Sequence, residues 1–223
     1  LNLYLFLIEG TNFINNYNKI GTSGLIGGIS LGVANITFIL SLTTTSAAVT
    51  LLMLGALPFI AAIIAYIVLK EKISKLTLTS IFLAFGGIFL MLGGSLTAGQ
   101  MIGNIAAFIM PISFAVLILT VRKYPSVDMI PLQLIAGIGA IILGYLFSSQ
   151  IIVSSYDIFL GFIAGFFQVG LGFIFITVGA KTTPSALVGI IMLTEAIIGP
   201  LWAWLFINET PPLVVLVGGS IVL

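Results

Sequence analysis

The sequence contains no cysteine and no histidine, and its 223 residues include only seven lysines and arginines and six aspartates and glutamates. Without cysteine there is no disulfide framework and no thiolate metal site. Without histidine there is no imidazole ligand and no Ser-His or Cys-His nucleophile pair. Charged residues make up 6% of the chain, against about 25% in soluble domains. So few charges cannot cover a water-facing surface. A net charge of +1 leaves no acidic tail, basic arm or nucleic-acid footprint, so nucleic acid is excluded as a partner. The stretch from Gly179 to Thr182 ends in Lys-Thr but lacks the glycines of a phosphate loop. No means of hydrolysing ATP is visible, and no cofactor is expected.

What the chain has is apolar length. Hydrophobic residues are 60% of the total and mean hydropathy is +1.33. The expected class is an all-α polytopic membrane protein in contact with the lipid bilayer. A span needs about 20 apolar residues. Runs of that kind lie near Leu25 to Leu42, Ser46 to Leu69, Leu76 to Leu96, Met101 to Val121, Met129 to Phe147, Ile158 to Ala180 and Ser185 to Ile207. Turn chemistry separates them at Asn15 to Asn18, Thr43 to Ser46, Tyr124 to Ser126 and Thr210 to Pro212. Thr183 followed by Pro184 predicts a helix start, with threonine as cap and proline first in the helix. Leu1 to Ile8 and Pro212 to Leu223 are apolar but too short to span. On this reading the chain is a fragment of a longer membrane protein.

Shifting the chain by 138 positions aligns it with itself without gaps. Gly32 falls on Gly170, Ile36 on Ile174, Thr44 and Thr45 on Thr182 and Thr183, Ala48 on Ala186, and Glu71 on Glu209. A shared Thr-Thr, alanine and post-helix glutamate at one spacing point to an internal repeat. The expected division is residues 1–98 for the first copy and 99–223 for the second. The first copy would then begin about 40 residues before Leu1. The intact protein would hold ten helices, five per copy, with about seven complete here.

Five is odd, so the two copies must cross the membrane in opposite senses. Lys19, then Lys70, Lys72 and Lys75, then Arg122 and Lys123, then Lys181 fall in alternate loops, and the intervening loops have no lysine or arginine. The positive-inside rule makes the basic loops cytoplasmic. Three lysines surround Glu71 and none surrounds Glu209, as inversion requires.

This pattern resembles the EamA-type domain of the drug/metabolite transporter superfamily, which occurs as two five-helix copies. The marks are an apolar helix, a glutamate, a short polar step and a glycine-rich helix. They stand here as Val68 to Ser74 (VLKEKIS) with Gly86 and Gly87, and as Phe206 to Pro212 (FINETPP) with Gly218 and Gly219. Gly103, Asn104 and Ser113 to Ala115 look like a variant of the opening of the family's second copy. Asn104 replaces the usual aspartate. Ala196 replaces the proline that often follows the ninth-helix glutamate, although Pro58 fills the equivalent place in the first copy. The resemblance implies a carrier of small metabolites in a bacterial-type inner membrane. Amino acids or their derivatives are a common substrate class and export the common direction.

The polar residues inside the spans are the candidate site. Glu195 is near the middle of its run, where an acidic side chain costs about 3 kcal/mol and normally faces a cavity or a partner. Gly199 and Trp202, at i+4 and i+7, share its helix face, and Pro200 frees the carbonyl of Ala196. The alternative is a protonated glutamate bonded to a neighbouring helix. Gln168 is mid-span, as is its repeat counterpart Ser30, and Asn35 is a further candidate. Thr37, Asn104, Ser113 and Gln133 are weaker ones, and Asn104 could simply cap its helix. The glycine stripes Gly24, Gly28, Gly32 and Gly161, Gly165 read as close helix packing.

The expected function is secondary-active transport of a small-molecule substrate by alternating access between the two copies. Glu195 would bind a substrate amine or carry a coupling proton, and the sequence leaves that choice open, as it does a homodimer. The rivals are an intramembrane lipid-modifying enzyme, for which Glu195 lacks an acid partner, and a channel or scaffold.

Overall fold

The computed structural model describes residues 11–93, 98–147, 153–208 and 210–223. The loop at Gln150 and the post-helix Glu209 lie outside them. Every regular element among the described residues is a helix, because a chain in lipid must satisfy its backbone hydrogen bonds internally. In order these are α1 (Thr11–Thr44), α2 (Ala47–Val68), α3 (Lys75–Gly93), α4 (Ala98–Lys123), α5 (Leu132–Phe147), α6 (Ser155–Ala180), α7 (Ser185–Ile207) and α8 (Leu213–Val222). All but α5 and α8 are long and apolar enough to cross a membrane. The protein is a multi-pass membrane protein.

Three local expectations need correction. Asn15 to Asn18 is not a turn, and α1 runs through it to a break at Gly21, with φ 53° and ψ −151°. Weak helix propensity costs only a few tenths of a kcal/mol per asparagine, whereas glycine adopts that backbone shape without strain. The fifth span starts at Leu132 rather than Met129, because Pro131 lies in the preceding turn. Pro184 is the cap of α7, with φ −53° and ψ 136°, and the helix begins one residue later than expected.

Other helix ends follow sequence chemistry. The Ser46 hydroxyl accepts from the Val49 N–H and caps α2. Ahead of Pro58, α2 tightens into a 3₁₀ turn at Leu54–Ala56, consistent with the missing proline N–H. Ser154 and Asp157 form a reciprocal capping box at α6. Both α2 and α7 close on a left-handed residue, Lys70 (φ 58°) and Asn208 (φ 53°). They are 138 positions apart.

Glycine contacts fix how the helices pass one another. A Cβ on Gly28 would lie 2.7 Å from the Ile135 side chain, and one on Gly32 would lie 3.5 Å from Ala136, so α1 and α5 run parallel and close. Gly27 meets Leu117 and Leu132, while Gly103 meets Thr44 and Thr45, so α4 lies antiparallel to α1. Gly199 meets Leu51 and Gly189 meets Pro58, which sets α7 antiparallel to α2. Gly87 and Gly218 touch backbone to backbone between α3 and α8. The loops bearing Lys70 to Lys75, Arg122 and Lys181 therefore gather at one end, with the start of α1. An ion pair of 2.9 Å between Arg122 Nε and Glu71 Oε1 ties two of them together. At the other end Thr45 Oγ1 donates to Asn104 Oδ1 at 2.9 Å. Asn104 is thus a buried interhelical contact seven residues into α4 rather than a cap.

Candidate functional site

Between α1, α2, α4, α6 and α7 lies a cavity of about 200 Å³. Its polar lining is Asn35 from α1, Gln168 from α6 and Glu195 from α7. Glu195 is the eleventh of the 23 residues of α7. The structure thus brings together three of the five side chains that the sequence singled out, from helices far apart in the chain. Among the described residues the Glu195 carboxylate has no ion-pair partner.

The remaining wall is apolar and partly aromatic. Phe114 and Phe173 stack with ring centroids 5.4 Å apart and planes inclined by 22°. Phe38, Leu54, Ile176 and Met192 complete much of the rest. Sequence reasoning missed these residues, though the 138-residue self-match held a signal for them. Asn35 and Phe173, Phe38 and Ile176, and Leu54 and Met192 are each 138 apart, and all six line the cavity.

Two candidates fall elsewhere. Ser30 is half-buried in α1 and does not line the cavity. Trp202 is 61% exposed and packs on Phe206. Seven residues beyond Glu195 carry it about 10 Å along the helix, past the cavity. Gly199 faces Leu51 rather than open space. Ala196 and Pro200 belong to a second, almost wholly apolar hollow of about 440 Å³, with Leu52, Trp204 and Leu216.

Gln168 has an unusual mount. α6 widens into a π-helix over Ala164–Leu171, between α-helical segments Ser155–Ile163 and Gly172–Ala180. π-turns inside α-helices are frequently found at functional sites, and this one is eight residues long. Gly165, Gly170 and Gly172 flank Gln168.

The chain matches the EamA-like transporter family over residues 1–93 and 97–223. No curated protein matches it. A solved crystal structure superimposes with a TM-score of 0.70, covering 99% of this chain and 79% of that one at 14% identity. At that identity the likeness is one of fold.

Proposed function

Because the chain belongs to the EamA-like transporter family, a family of membrane transporters for small solutes, we propose that it is a secondary-active carrier working by alternating access around the Glu195 cavity. The observation that carries this reading is the convergence of Asn35, Gln168 and Glu195 on one mid-membrane cavity. Glu195 serves there as the counter-charge to substrate or as the carrier of a coupling proton. An unpaired carboxylate held in mid-membrane is a functional group by default.

Two features support the inverted repeat that alternating access needs. The paired caps Lys70 and Asn208 end equivalent helices, one at the basic end and one opposite. The three residue pairs that line the cavity sit at matching positions in the two copies, residues 1–98 and 99–223. Exchanging the conformations of the copies would then move the opening from one end to the other. The protein sits in a cell membrane of the bacterial inner type, with its basic loops in the cytoplasm, and exports its substrate.

The test is Glu195→Gln, which keeps size and hydrogen-bonding reach and removes the charge. In proteoliposomes we expect normal insertion and loss of substrate accumulation. A defect confined to accumulation driven by a pH gradient assigns proton coupling, and weakened binding at every pH assigns the counter-charge. Transport by this variant at the native rate at all pH values would overturn the role of Glu195.

A further inference from the structure

The charge inventory of the cavity is one-sided. Of its described lining residues only Glu195 ionises, Asn35 and Gln168 are neutral amides, and the others are apolar. None of the described lysines and arginines is in its lining. Taking the carrier reading as its basis, we propose that the cavity selects small organic monocations without a carboxylate, a primary ammonium on a flat apolar body.

Four features point the same way. An ammonium beside Glu195 leaves the occupied site neutral, whereas a zwitterion would bring a second anion with no cation among the described lining residues to meet it. An ammonium has three donors, and the cavity offers a carboxylate and the amide oxygens of Asn35 and Gln168 as acceptors. The stacked Phe114 and Phe173 supply a flat wall, and the negative faces of phenyl rings attract cations. A volume of about 200 Å³ equals about seven waters at ~30 Å³ each, which suits a body of about ten non-hydrogen atoms.

The probe is radiolabelled 2-phenylethylamine, followed both by equilibrium binding to the purified protein and by counterflow in proteoliposomes. Unlabelled phenylalanine, 2-phenylethanol and 3-phenylpropionate serve as competitors. We expect phenylalanine to compete at least about 10-fold more weakly than the amine, because its carboxylate goes unpaired, and phenylpropionate not to compete. Phe173→Leu should weaken the aromatic amine about 3- to 10-fold and butylamine, which has no ring to stack, by less. Phenylalanine matching the amine, or no binding of the amine, overturns the inference on the native protein, whatever the variants do. Amine binding without counterflow upholds the selectivity and removes the carrier reading. Counterflow of phenylalanine without amine binding keeps the carrier and removes the selectivity.

Discussion

Helices α1 and α6 align with each other when the sequence is shifted by 138 positions, and their surroundings differ sharply. In the apolar stretch of α1 39% of the residues are buried, and in that of α6 only 6%. Both carry glycine stripes. Those of α1 close on Leu132, Ile135 and Ala136, while Gly161 and Gly165 of α6 have nothing within 4 Å. α1 takes its cover from α4 and α5, and α6 has no equivalent pair among the described residues. Small residues permit close approach, but burial is set by what approaches. The bare helix is also the one that unwinds into a π-turn.

The largest expected contrast is all-or-none. If the copies are inverted, the loops after α2 and α7 face opposite sides of the membrane. The chain has no native cysteine, so Ser74→Cys and Thr210→Cys can each be probed singly with an impermeant thiol reagent. Labelling of both from the same side would end the inverted comparison.

Next in size is a matched pair of overpacking substitutions. Gly27 and Gly165 are repeat counterparts. A Cβ on Gly27 would lie 2.9 Å from Leu132 Cδ2, and one on Gly165 meets open space. Gly27→Leu should cost ~1–3 kcal/mol, read as a lower melting temperature in detergent. Gly165→Leu should change stability by less than about 0.5 kcal/mol. Equal losses would mean that α6 is covered after all.

The smallest effect concerns the ion pair at the basic end. Arg122 and Glu71 keep 23% and 34% of their side-chain surface exposed, so water and salt screen the pair. Arg122→Ala should cost no more than about 1 kcal/mol, and the loss should shrink as salt is raised. A larger, salt-independent loss would make the basic end a charge-locked structure instead of one closed by helix packing.

The all-helical class, the basic end and three of the cavity's polar residues could be read from the sequence, whereas of the seven expected spans α5 is too short to cross, and physical reasons separate these from the failures. Asn35, Gln168 and Glu195 stand out because polarity is rare inside apolar runs. Phe114 and Phe173 do not, since the chain has 17 phenylalanines and a cavity-lining ring has the same local pattern as one facing lipid. Trp202 misled because a helical face gives direction without depth. The π-turn at Gln168 has no side-chain signature beyond a cluster of glycines, and the break at Gly21 was overshadowed by the asparagines ahead of it.

Lys70 has a consequence for how the protein is made. A left-handed backbone costs an L-residue other than glycine about 1–2 kcal/mol, and asparagine adopts it more readily than lysine does. The chain places asparagine at position 208 and lysine at position 70, where, if the basic loops are cytoplasmic, its positive charge would help to hold the segment back during insertion. Lys70→Gly would make a more relaxed helix end and a weaker instruction to the insertion machinery.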